Sequence, residues 1–301
     1  MPRPRRSIMG ISDLRVGLIG HSHAVCLLDA LGDWRDRAGL STAAQDQRYG
    51  EAFRGWFDVD TGGDAFTLAP QRTTFPAPAE LVTCVLTAKV GEMTATRNVG
   101  KVNEVRITPV LEKCVQQFRN IGLVVSVLHG NEAASIGLVD NHPPYDFAPL
   151  DDDDALPLAP PPFQPIDRIY IARWVDSFAR RAILAVTALQ RSLPSTRVVH
   201  VLPPPPLEDP ARLVRRELLE SLLAEHGFVR PLLRLKWSLA YRARVRTALE
   251  AQGIQVIGAP RAALTASGFL REDLGEGLTH GNGHYGAMLW EALDGLLGAA
   301  K

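Results

Sequence analysis

Three short polar clusters hold the residue types that could do chemistry. They are Gly20-His21-Ser22-His23 near the start, His129-Gly130-Asn131-Glu132 in the middle, and Thr279-His280-Gly281-Asn282-Gly283-His284-Tyr285-Gly286 near the end. Together they supply the parts for acyl transfer. A serine hydroxyl is a weak nucleophile until a nearby base takes its proton, and histidine is suited to that task. A carboxamide such as that of Asn131 can donate to the oxyanion of a tetrahedral intermediate, a contact commonly worth about 2.7–4 kcal/mol. Each cluster alone has a plain structural reading. Ser22 could cap the helix that follows it, Asn131 could be a turn residue, and His280 or His284 could cap the last helix. Their order, and their shared position at the ends of expected strands or before that helix, favours the chemical reading.

The elements that must position these clusters can be read from hydrophobic patterning. RVGLIG at 15–20 is a short apolar run ending in glycine, as expected of a buried strand, and apolar residues at helical spacing follow over 24–34. The stretch 35–105 reads as an insertion around a second strand, with strands expected over 53–60 and 81–90. A helix is expected over 107–120, then a β-branched buried strand, IGLVVSVL at 121–128, that delivers the second cluster. An acidic, proline-rich surface loop occupies 141–165. After it come a long amphipathic helix over 166–193 and a strand over 196–202 that is stopped by Pro203–Pro206. Asp209-Pro210 starts a further helix ending at Gly227, and another spans 231–252 with Gly253 as its stop. A short strand at 254–257 and a last helix over 285–297 complete the chain. Strands alternating with helices predict an α/β fold with a mostly parallel, doubly wound sheet, whose ligand sites lie beyond the carboxyl ends of the strands. The whole chain, 1–301, is read as one domain.

In this order the clusters resemble the blocks of the SGNH (GDSL-type) hydrolases: Gly-x-Ser early, Gly-Asn after a middle strand, and a histidine with a nearby asparagine before the last helix. The likeness runs from Val16 to Trp290. It implies a three-layer α/β/α sandwich, flavodoxin-like in its sheet, and a serine-dependent esterase. Ser22 would be the nucleophile and His280 the base, with His284 as its rival. The Ser22 N–H, Gly100 and Asn131 would form the oxyanion hole, and Gly62 and Gly63 compete with Gly100. Two departures stand out. The family's usual aspartate three residues before the histidine is replaced by Gly277 relative to His280, and by Gly281 relative to His284. Glu276, one residue out of register, could orient the imidazole instead, as could a backbone carbonyl. The Gly-x-Ser-His start resembles members acting on acylated carbohydrates, which implies an O-acetyl carbohydrate or a similar small ester as substrate. A non-catalytic binding or scaffold protein on the same fold is the alternative. A nucleotide-binding transferase is disfavoured, because neither Gly-x-Gly-x-x-Gly nor a P-loop follows the first strand.

Bulk composition narrows the partners. The 33 basic and 33 acidic side chains balance, which argues against a protein held to nucleic acid by phosphate contacts. No run approaches the ~18–20 apolar residues of a membrane span. The basic start, Met1 to Arg6, lacks the apolar core of a signal peptide behind it, so a cytoplasmic location is expected. Cys26, Cys84 and Cys114 are read as buried thiols of a reducing compartment. No cofactor is expected. No metal is expected either: His21 and His23 sit at i, i+2 across a turn, and Asp151–Asp154 lack the spacing of a calcium loop. Arg173, Arg180, Arg181, Arg234, Arg242, Arg244 and Arg246 read as the wet faces of helices, and Trp56, Trp174, Trp237 and Trp290 as core.

Overall fold

The computed structural model describes residues 14–31, 65–73, 79–86, 93–99, 102–129, 144–150, 156–209, 227–276 and 280–298. In chain order the strands and α-helices are β1 (Leu14–Gly20), α1 (Val25–Asp29), β2 (Ala65–Thr73), β3 (Ala79–Leu86), β4 (Thr94–Val99) and β5 (Val102–Ile107), then α2 (Pro109–Phe118) and β6 (Leu123–Val127). There follow β7 (Tyr145–Asp146), β8 (Gln164–Pro165), α3 (Arg168–Ser192), β9 (Arg197–Val201), α4 (Pro231–Glu250) and β10 (Gln255–Ile257). The last are β11 (Gly275–Glu276), β12 (His280–Gly281) and α5 (Gly283–Gly298).

Among the described residues, six strands form the main sheet in the order β10-β9-β6-β1-β3-β2. All neighbours are parallel except the edge strand β2, which runs antiparallel to β3. Counting the parallel strands along the chain, the spatial order is 2-1-3-4-5, the doubly wound flavodoxin-like arrangement. Strand order reverses between β1 and β6, where Gly20 pairs with Val127. Chain crossovers leave in opposite directions there, so a crevice opens beyond the strand ends. Ser22 follows β1 and His129 follows β6 at that point.

Alternation along the strands divides the apolar residues between two layers. Val16, Leu18, Leu123, Val125, Val127, Val199 and Val201 face α1 and α5, whose Leu27, Leu28, Tyr285, Leu289, Trp290 and Leu293 complete one core. Ile19, Val82, Cys84, Val124, Val198 and Val256 face the other way, onto apolar residues of α2, α3 and α4. The sheet is therefore covered on both sides, as all-apolar parallel strands require. Gly17 serves this packing directly. A Cβ there would lie 2.9 Å from the Phe118 ring and from Val124.

Several expectations need correction. β2, at Ala65–Thr73, was not anticipated, because AFTLAPQRT alternates poorly and contains a proline; it is an edge strand whose register slips between Leu68 and Gln71. Among its described residues, the stretch 35–105 thus contributes two strands to the main sheet, and β4 pairs antiparallel with β5 in a separate sheet. The strand expected at 53–60, Trp56, Asp151–Asp154 and most of the helix expected after Asp209 lie outside the described residues. Within the acidic loop, Asp146 is buried, and Lys236 Nζ donates to both its carboxylate oxygens at 2.9 and 3.0 Å. Burial alone would raise this carboxyl, but Lys236 and the amides of Ala159 and Phe147 outweigh it and hold the carboxyl below its ordinary value. Trp174 is 44% exposed, although its ring stacks on that of the buried Trp237. Arg234 is buried rather than wet, since its guanidinium donates to the carbonyls of Leu207 and Glu208. Gly253 ends the α4 turn with φ +75°, the left-handed stop expected there. The three cysteines are buried and form no disulfide, and no described helix is long and apolar enough to cross a membrane.

Candidate active site

Ser22 is held by the abrupt end of β1. Gly20 closes the strand where a Cβ would sit 2.9–3.0 Å from Val127 and Ala24, so only glycine lets the chain turn this close to β6. A single 3₁₀ turn, Ser22–Ala24, then leads into α1. Ser22 does not cap that helix; the N-cap position belongs to Ala24. Its half-buried Oγ instead meets His280 Nε2 at 2.8 Å, across 258 positions of sequence.

The construction around α5 makes this meeting possible. Asn282 caps the helix: its Oδ1 accepts from the backbone N–H groups of His284 and Tyr285 at 3.0 and 3.2 Å. Its Nδ2 donates to the Asp273 carbonyl at 2.8 Å, and its backbone N–H donates to the Leu274 carbonyl at 2.9 Å. The start of α5 is thereby tied to the preceding turn. Gly286 lets α5 press against α1, because a Cβ there would lie 1.9 Å from the Cys26 carbonyl oxygen. Further along, Trp290 Nε1 donates to the Leu27 carbonyl at 2.9 Å. With α5 fixed on α1, β12 brings His280 over the 3₁₀ turn.

Glu276 lies directly opposite His280 in the antiparallel β11–β12 pair. Residues paired in this way share a face, with Cβ atoms about 4.5–5.5 Å apart. A spacing of four residues, out of register for the expected aspartate, thus becomes a cross-strand neighbour once the chain doubles back. His284 is exposed in the first turn of α5, and Ser22 Oγ bonds to His280. Gly62, Gly63, Gly100, Gly130, Asn131, Glu132 and Gly277 lie outside the described residues. The strands on either side of Gly100 are those of the β4–β5 pair.

Sequence reading missed a column of imidazoles. The His23 ring stacks on that of His280 with centroids 4.2 Å apart and planes 18° from parallel. His23 also meets His129, with centroids 4.4 Å apart and planes tilted by 53°. His129 in turn stands edge-on to His200 at 6.0 Å. His200 is paired across the sheet with Ser126, whose Oγ lies 3.3 Å from Nδ1. His129 and His200 are wholly buried. Burial holds the His129 imidazole well below its ordinary pKa, and the charges of His23, His200, His21 and His280 press the same way. Burial likewise pushes His200 down to about 3. The column thus includes two imidazoles kept neutral at physiological pH. One signal was available in the sequence: His200 interrupts an otherwise apolar strand, and His129 directly follows another. Among the described residues, no group of three or more His, Cys, Asp or Glu side chains is arranged to hold a metal ion.

No protein-family model matches the sequence, and no curated protein matches it. Among solved structures, the chain is similar to a carbohydrate acetylesterase from Sinorhizobium meliloti, at 11% identity and TM-score 0.43, over 95% of this chain and 100% of that one. It is also similar to a GDSL-like lipase from Bacteroides thetaiotaomicron, at 10% identity and TM-score 0.41, over 97% and 90% of the two chains. A third is the periplasmic domain of a lipopolysaccharide acetyltransferase from Salmonella Paratyphi A, at 11% identity and TM-score 0.43, over 96% and 84%. The layered α/β/α arrangement rests on the strand order and the two apolar layers, and the candidate site on the contact between Ser22 and His280.

Proposed function

We propose that this chain is a serine-dependent acyl-ester hydrolase or acyl transferase. The observation that carries the reading is the 2.8 Å approach of His280 Nε2 to Ser22 Oγ at the point where the strand order reverses. In the proposed reaction Ser22 Oγ attacks the ester carbonyl carbon while its proton passes to His280 Nε2. The tetrahedral oxyanion is met by the Ser22 N–H, which opens the 3₁₀ turn and has no acceptor within it. Gly100 and Asn131 are the proposed further donors. Collapse breaks the bond to the alcohol oxygen, which takes the proton back from His280. Water, or an acceptor hydroxyl in a transferase, repeats the sequence in reverse to free the acyl group. Glu276, across from His280, is the proposed partner that fixes the imidazole tautomer and balances the imidazolium.

The substrate we assign is a small O-acyl ester, first of all an O-acetyl group on a carbohydrate. The carbohydrate part rests on the likeness of Gly20-His21-Ser22-His23 to sugar-acting SGNH members. The three cysteines form no disulfide, which suits a reducing compartment, and a cytoplasmic location is proposed with them.

Labelling with a fluorophosphonate probe tests the reading. The parent protein should be labelled, and Ser22→Ala should lose the label while keeping its melting temperature. An unlabelled, folded parent would instead favour a non-catalytic binding protein on this fold.

A further inference from the structure

We infer that His23 is a positioning residue for the proposed base, gripping the face of His280 while Ser22 engages its edge. The inference rests on the serine-acyl reading and extends it to a residue outside the expected triad. Ser22 and His23 are consecutive in the 3₁₀ turn, so one step of chain presents a hydroxyl to Nε2 and a ring to the π-face of the same imidazole. Both rings are buried, at 4% and 6% exposure, and their planes are nearly parallel. The His23 ring also meets that of buried His129, with centroids 4.4 Å apart, and Cys26 Sγ donates to the His23 carbonyl at 3.1 Å. The clamp therefore has a fixed backbone and a buried backstop.

Two physical consequences follow. A ring pressed on the face of His280 resists rotation about its ring-bearing bond, so Nε2 stays aimed at Ser22 Oγ. When His280 accepts the serine proton, the new imidazolium lies against the flat face of the His23 ring, an arrangement that is attractive while that ring is uncharged. His23 serves only when neutral, because two stacked cations at this separation repel. Position 129 suits that need: its own imidazole is kept uncharged by burial, so it adds no competing charge beside His23. The same column joins the first and last polar clusters to the residue that precedes Gly130 and Asn131. It thus links the nucleophile and base to the start of the proposed oxyanion segment.

The test uses the full chain with His23→Ala and His23→Phe, read by fluorophosphonate labelling rate and by p-nitrophenyl acetate turnover beside the melting temperature. His23→Ala should slow labelling about tenfold and lower kcat more than it raises KM, within the range of an aromatic contact to a cation. His23→Phe keeps a flat ring and should recover most of that loss. The Hε1 resonance of His280 should also move downfield in His23→Ala, because the overlying ring current is gone. A parent that is labelled at Ser22, with folded His23→Ala labelled equally fast, overturns the role of His23 alone. So does a folded His23→Phe as slow as His23→Ala. A parent that takes no label overturns the serine chemistry beneath it, and the role of His23 falls with it.

Discussion

At the scale of single residues, the orienting acid is the position where the linear pattern and the folded chain part most clearly. Counting along the sequence leaves a glycine three residues before His280, whereas the β11–β12 turn places the Glu276 backbone opposite it. Removing the orienting carboxylate of a serine triad costs about 10⁴ in rate, because the imidazole no longer holds its working tautomer. Glu276→Gln should therefore slow p-nitrophenyl acetate turnover by about 10² to 10⁴ and leave the melting temperature nearly unchanged. Turnover equal to the parent would assign the orienting role to a backbone carbonyl. Ser22 and His280 were legible as candidates because each sits in a polar cluster just after an expected strand or just before the last helix. His23 was visible as a residue but not as a ring stack, since a parallel contact between positions 23 and 280 leaves no mark on local spacing.

At the scale of elements, the site depends on how closely α5 lies on α1. Two glycines of the same helix separate that demand from ordinary helix propensity. At Gly286 a methyl group would fall 1.9 Å from the Cys26 carbonyl oxygen and 2.5 Å from its carbon, both backbone atoms that move only if the helices part. At Gly295 nothing lies within 4 Å of the same methyl. Gly286→Ala should then cost about 1–3 kcal/mol, as overpacking does, and should slow labelling by separating His280 from Ser22. Gly295→Ala should raise stability by about 0.5–1 kcal/mol through backbone entropy and leave labelling alone. Thermal melts with labelling rates check both, and a harmless Gly286→Ala would contradict the close packing. The start of α5 was predicted two residues late, at 285. Its cap is Asn282, a residue that the resemblance assigns to a catalytic block instead. Long apolar strands and the stop at Gly253 were legible because local rules decide them. β2 was not, because an edge strand is selected by its partner β3 more than by its own residues.

At the scale of the whole molecule, the price of a histidine column at the switch point of the sheet is acid sensitivity. His200, on β9 opposite Ser126 of β6, is fully buried, and desolvation brings its imidazole down to about 3 from an ordinary value of 6.5. His129 is shifted in the same direction. In the unfolded chain both rings accept a proton near pH 6.5, whereas in the folded chain His200 refuses it until about pH 3. Across that window the unfolded state holds more protons, so stability falls as the pH falls, by about 1.4 kcal/mol per pH unit for each such ring. Asp146 adds its loss only lower down, because its carboxyl is held below the ordinary carboxylate value and its contribution disappears as the pH drops through that lowered pKa. The acid limb should therefore begin near pH 6.5, well before carboxylates titrate. Urea unfolding of the parent and of His200→Asn, at pH 7.5, 6.5, 5.5 and 5.0, tests this. Asparagine keeps a hydrogen-bonding group near Ser126 Oγ but has no proton to refuse, so the slope below pH 6.5 should lessen by about 1.4 kcal/mol per unit. A parent equally stable at pH 7.5 and 5.0 would mean that these imidazoles are not neutral and buried in solution.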